Sequence, residues 1–200
     1  TEAVYRQFVY ENYQTVDQGL EKTIAHLFDQ DEFENTGIYS ISQHIRDTLT
    51  KYMKYDEKTN TQSENVLEDF LNQKISGNDV LFASAAVEAF RHYNIPARYV
   101  EGYLLKSDAI DEEGNATLTS KDGHAWVEVY FDGMGWLPID VTPGYYYDVY
   151  TLMNMVATPQ GDNSQVNIEK GHKDSQGVND GQNGGMIYNI VSGLESMESL

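Results

Sequence analysis

The 200-residue chain contains no cysteine. That excludes disulfides, thiolate metal sites and a thiol nucleophile. It does not identify the compartment. Basic residues are also scarce: 13 Lys and Arg stand against 32 Asp and Glu, for a formal charge of −19. Affinity for nucleic acid needs clustered Lys and Arg to neutralise phosphates, so no nucleic-acid partner is expected. The same deficit disfavours docking on anionic lipid, and no membrane contact by this segment is expected. No apolar run approaches the length that spans a bilayer, and no signal peptide is visible. The strong negative charge promotes solubility and mutual repulsion, which favours a monomer.

What is present suffices for a core: 40% hydrophobic residues, with 15 Tyr and 7 Phe. Residues 1–13 read as a helix with Val4, Phe8 and Val9 on one face, which Tyr5 and Tyr13 extend. Asp17 is a candidate N-cap for a helix over about 18–30, with Leu20, Ile24, Leu27 and Phe28 as its apolar stripe. Ile41, Ile45, Leu49 and Met53 repeat at helical spacing after Ser40 or Ser42. Residues 55–64 read as a polar loop outside the core. A short helix follows over 65–71, and Gly77-Asn78 reads as a turn.

Residues 79–93 are strongly apolar (Val80, Phe82, Ala83, Ala86, Val87, Ala89, Phe90), which predicts a buried helix. Pro96 cannot continue it. Residues 97–105 then read as a strand and 106–122 as an acidic hairpin or excursion. Residues 124–131 alternate, with Ala125, Val127 and Val129 on one face and His124, Trp126, Glu128 and Tyr130 on the other. Asp132-Gly133 is a turn signal, and 136–141 pairs back. The expected division is a helical region over 1–64, a core over 65–157, and a Gly/Asn/Asp-rich linker or tail over 158–200. Within that tail, 158–185 has too few apolar residues to offset the entropy of folding.

The chemistry is concentrated in Gly123-His124-Ala125-Trp126-Val127-Glu128-Val129 and Gly135-Trp136-Leu137-Pro138-Ile139-Asp140-Val141-Thr142-Pro143-Gly144. These segments place His124 and Asp140 on adjacent strands, the base-and-orienter half of a nucleophilic site. With Gly77-Asn78-Asp79-Val80-Leu81-Phe82-Ala83 and Ile95-Pro96-Ala97-Arg98-Tyr99-Val100-Glu101-Gly102-Tyr103, they make four blocks. Together these blocks resemble the transglutaminase-like superfamily over residues 5–150, nearest its bacterial exported or membrane-anchored members.

The resemblance implies an α+β, papain-like fold: N-terminal helices and a central buried helix packed on an antiparallel sheet. It also implies a Cys-His-Asp triad. His124 and Asp140 match that pattern, and Asp79 stands where the cysteine belongs. A carboxylate is a poor nucleophile toward an amide and has no proton for His124 to remove. At the first turn of a helix it is well placed by the helix dipole. Flanked by Asp79 and Asp140, His124 is expected as the cation, the wrong state for a general base.

The resulting reading is a non-catalytic transglutaminase-like domain, an extracytoplasmic binding or scaffolding module at the cell surface, anchored by segments outside this chain. Its expected partner is a peptide, a protein or a cell-wall component. The alternative is an active transglutaminase or cysteine-type amidase whose native form carries Cys at position 79, or a hydrolase using Asp79 and His124. Trp126, Trp136, Tyr103 and Tyr145 are candidates for the walls of a groove. Arg98 reads as a salt-bridge partner. No cofactor is implied. Asp79, His124 and Asp140 are formally a metal-binding set, but no further ligand converges on them, and no metal site is expected.

Overall fold

In a computed structural model, residues 2–33, 37–59, 63, 65–105, 109–148 and 189–191 are described. Helices α1 (Glu2–Tyr13), α2 (Glu21–Phe28) and α3 (Ile38–Tyr52) come first, then strand β1 (Lys54–Tyr55), α4 (Val66–Gln73) and β2 (Ser76–Gly77). Helix α5 (Asp79–His92) leads into β3 (Ala97–Leu105), β4 (Gly123–Phe131), β5 (Gly135–Asp140), β6 (Tyr147–Asp148) and β7 (Asn189–Val191). The last five strands form one antiparallel sheet in the order β6-β5-β4-β3-β7, and β1 pairs with β2 in parallel. The expected linker over 158–185 lies outside the described residues.

The sequence dictates why α5 is central. Its alanines Ala83, Ala85, Ala86 and Ala89 are buried, and their small side chains let the helix approach β3 and β4 closely. Larger residues, Phe82 and Phe90, fill the flanks and are fully buried. On its other sides α5 meets α2, α3 and α4. Ile24, Phe28, Ile45, Leu49 and Phe70 therefore share one core with Val127, Val129 and Ile139 of the sheet. Ala125, Val127 and Val129 of β4 are buried, but so are His124, Trp126, Glu128 and Tyr130, so both faces of this central strand are covered and its burial does not alternate.

Both ends of α5 are specified locally. Asn78 is the N-cap, and its side chain accepts a hydrogen bond from the Leu81 N–H at 3.2 Å. Gly77, expected in a turn, instead ends β2, and a Cβ there would come 2.5 Å from the Phe70 ring. At the other end Asn94 takes a left-handed conformation (φ 58°), and the Ile95 N–H donates to the Phe90 carbonyl at 2.9 Å. Arg91 then donates from Nε and Nη2 to the Ala97 carbonyl at 3.1 and 3.0 Å, tying the helix end to β3.

Three further local expectations are corrected. Val4 and Phe8 are 72% and 49% exposed, so they do not form the inward face of α1. Val9 is the buried residue of α1, and Tyr5, itself 46% exposed, and Tyr13 flank it at i−4 and i+4 and reach the sheet through their contacts with Trp136. Tyr5 accepts the Trp136 indole hydrogen bond at 2.8 Å, and Tyr13 packs edge-on to Trp136 at 5.1 Å. The amphipathic tyrosines won because the sheet surface beneath them offers an N–H as well as rings.

Second, Val80 sits in the solvent-facing first turn of α5 and is exposed rather than buried. Third, Tyr55 belongs to β1, not to an outlying loop. Its ring packs edge-on to Phe82 at 6.1 Å and Tyr145 at 6.0 Å. A two-residue strand is too short to leave a period in the sequence.

Candidate functional site

The register of the sheet assembles the site. Val127 opposes Ile139, so His124 and Asp140 lie on the same face of β4 and β5, away from the α5 core. His124 Nε2 is 2.6 Å from Asp140 Oδ2. Asp140 is held in turn by the Thr142 N–H, which donates to Oδ1 at 2.9 Å. Asp79, the first residue of α5, reaches the same imidazole from the other side: its Oδ2 is 3.1 Å from His124 Nδ1. The same oxygen accepts the Ala125 N–H at 2.9 Å. One imidazole thus bridges two carboxylates supplied by two other elements.

Electrostatics follow from this geometry. Burial opposes a charge on His124, but its hydrogen bonds to Asp140 and Asp79 and their charges outweigh burial and raise its pKa to about 9. For Asp79 burial acts upward. His124 and the backbone N–H groups of Ala125 and Val80 overcome it and hold the carboxyl below its ordinary range. At neutral pH the array is therefore carboxylate, imidazolium, carboxylate. Both ring N–H groups are donated, and no lone pair is left on His124 to accept a proton.

The candidate groove residues separate. Tyr145 packs on His124 with ring centres 4.6 Å apart and planes 31° apart. Trp126, almost fully buried, lies near-parallel to the His124 ring with centres 6.5 Å apart. Tyr103 is exposed on β3, across from Gly123. Trp136 is four residues from Asp140, roughly 13 Å along the strand. It belongs to the contact with α1, with the Arg98 guanidinium 4.4 Å above its ring. Arg98 forms an ion pair with buried Glu128 at 2.6 Å, as its sequence context implied.

Two residues near the centre were not singled out from sequence. Tyr55 has its phenol pushed up by burial, the Tyr145 phenol and the Asp79 charge. Tyr99 is also raised, by burial, by its 2.5 Å hydrogen bond to Glu101 and by Asp79. Strand alternation placing Tyr99, Glu101 and Tyr103 on one face was the available signal for the second. Among the described residues no group of three or more His, Asp and Glu is arranged to hold a metal ion.

Gly102 lies directly opposite His124, and a Cβ there would come 2.5 Å from Trp126 Cη2. Because the indole is buried, Gly102→Ala should destabilise the fold by about 1–3 kcal/mol through overpacking. Urea unfolding checks this. An unchanged midpoint would mean that Trp126 shifts freely.

The chain is 37% identical over 87 residues to "Uncharacterized protein YebA" of Bacillus subtilis, covering 41% of this chain and 12% of that protein. It is 38% identical over 77 residues to the "Protein-glutamine gamma-glutamyltransferase" of Pseudomonas aeruginosa, covering 38% of this chain and 11% of that protein. The chain thus spans about a tenth of the length of these relatives. Among solved structures, the periplasmic domain of TgpA from Pseudomonas aeruginosa bound to ethylmercury overlays with a TM-score of 0.49 at 21% identity. That overlay covers 68% of this chain and 49% of that one. The family match itself extends over residues 29–141, from the end of α2 through Asp79, His124 and Asp140. With more than half of its residues in that match, the chain belongs to the Transglutaminase-like superfamily.

Proposed function

We propose that this domain does not catalyse acyl transfer and works as an extracytoplasmic binding or scaffolding module. The observation that carries the reading is the doubly paired His124, 2.6 Å from Asp140 and 3.1 Å from Asp79. Acyl transfer from an amide needs a nucleophile that forms a covalent intermediate and a base that activates it. Asp79 supplies neither a thiolate nor a transferable proton, and its charge keeps His124 cationic. The partner is a peptide, a protein or a cell-wall component. The domain acts as a monomer held at the cell surface by segments outside this chain. The likeness to a relative named as a gamma-glutamyltransferase supports descent from an acyl-transfer site.

Activity assays test this directly. The protein should show no incorporation of a primary amine into a glutamine-bearing protein and no amide hydrolysis. Asp79→Cys should fold, because the side chains are of similar size at a helix start. Turnover by the unmodified protein that disappears in both Asp79→Asn and His124→Ala would overturn the reading, since it would require carboxylate and imidazole to act together. Location has its own test. Protease treatment of intact source cells should remove the domain, and full protection would count against a surface position.

A further inference from the structure

The segment following β5 covers the site. Gly144 (φ 90°) turns the chain, and the Tyr145 N–H donates to the Thr142 carbonyl at 2.9 Å. Consecutive residues then take different tasks. Tyr145 lies on the His124 ring at 4.6 Å and meets the Tyr55 ring edge-on at 6.0 Å. Tyr146 points to α3, where its hydroxyl is 2.8 Å from Thr50 Oγ1 and its ring lies 4.9 Å from the Arg46 guanidinium. Tyr147 enters β6 and pairs with Asp140. The His124 side chain is left only 3% exposed, while that of Asp79 keeps 18%.

We propose that residues 142–147 form a strap whose Tyr145 seals the Asp79–His124–Asp140 centre, and that a ligand reaching this centre from the Tyr145 side must displace it. The anchors give the strap two discrete states. It is closed while Tyr146 holds α3 and Tyr145 lies between Tyr55 and His124, and open when both contacts are released. Such a contact acts whether or not the domain turns over a substrate, so it stands apart from the proposed function.

The absence of any other cysteine makes the test clean. In Asp79→Cys the new thiol reports access to the centre. Its reaction rates are measured with a small reagent, methyl methanethiosulfonate, and a bulky one, 5,5′-dithiobis(2-nitrobenzoate). Each is followed from pH 6 to 10, so that a change in thiol pKa is separated from a change in access.

Adding Tyr145→Ala should speed the bulky reagent by about tenfold, the order expected when one aromatic contact is lost from an opening equilibrium. The small reagent should change by less than about threefold. Tyr146→Ala, which loosens the anchor on α3 without touching the centre, should produce part of the same size-selective acceleration. Because Tyr146 is exposed, that variant keeps the test available if the Tyr145 variant fails to fold. An acceleration of the limiting rate that is the same for both reagents, or absent for both, in these backgrounds would overturn the strap.

Discussion

His124 should titrate near pH 9 in the folded protein, and stability should fall as the pH is raised through that value. An unperturbed imidazole titrates at 6.5, so the folded value lies above the unfolded one. The contribution is therefore complete below the unfolded value and is lost as pH rises from about 6.5 to about 9. Each pH unit of difference corresponds to about 1.4 kcal/mol, which puts the contribution at up to about 3 kcal/mol. Asp79 acts in the opposite direction. Its folded value is lowered, so its contribution is present above its ordinary value of 3.8 and is lost as pH falls through the lowered one.

The groups facing His124 are Asp79 from α5, Asp140 from β5, Trp126 from β4 and Tyr145 from the strap. An NMR titration of the ring reads the value directly. Urea unfolding at pH 6, 8 and 10 reads the linked stability, with His124→Gln as the reference that removes the titration. The variant leaves two half-buried or buried carboxylates without their cation, so it should cost about 3–5 kcal/mol at pH 6. A ring that titrates at or below 6.5 would mean that one carboxylate is neutral or turned away. A stability difference between wild type and His124→Gln that stays constant from pH 6 to 10 would reject the linkage.

Phe82→Ala should be the most damaging single truncation near the site, at about 3–5 kcal/mol. Phe82 is 0% exposed and lies between Phe70, ring centres 5.4 Å apart, and Tyr55, at 6.1 Å. Its removal leaves a cavity that the alanine-rich stretch of α5 cannot fill, because those small side chains are already packed against the sheet. Tyr55 also loses its inner support, and with it the ring that backs Tyr145. Chemical unfolding gives the stability, and near-ultraviolet circular dichroism reports the loosened tyrosines. Val80→Ala, two residues away and exposed, is the control and should change stability by less than about 0.5 kcal/mol. Equal costs for the two variants would contradict the assigned packing.

Much of this was legible along the chain. Strand β3 runs over Ala97–Leu105 and helix α5 begins at Asp79, both as the pattern implied. Long periodic segments bounded by Pro or by a cap residue state their type and extent locally. The facing of α1 was not legible, because its sequence carries two candidate stripes and only the sheet beneath it chooses between them. Tyr55 was missed because a strand of two residues exists only through its pairing with Ser76–Gly77.

At the centre, the sequence by itself determined the chemistry available: no thiol anywhere, a carboxylate at the start of the buried helix, and a His and an Asp on neighbouring strands. Those are statements about residue type and short-range spacing, which a linear pattern contains. Only the tertiary structure decided that both carboxylates meet one imidazole. Asp79 and His124 are far apart in the chain, and their 3.1 Å approach depends on how α5 seats against β4. Likewise, Trp136 and Tyr145 look like equivalent groove walls in the sequence. The sheet register carries Trp136 to α1, and the turn at Gly144 folds Tyr145 back over His124. Contacts of that kind are set by packing between elements, which no local preference encodes.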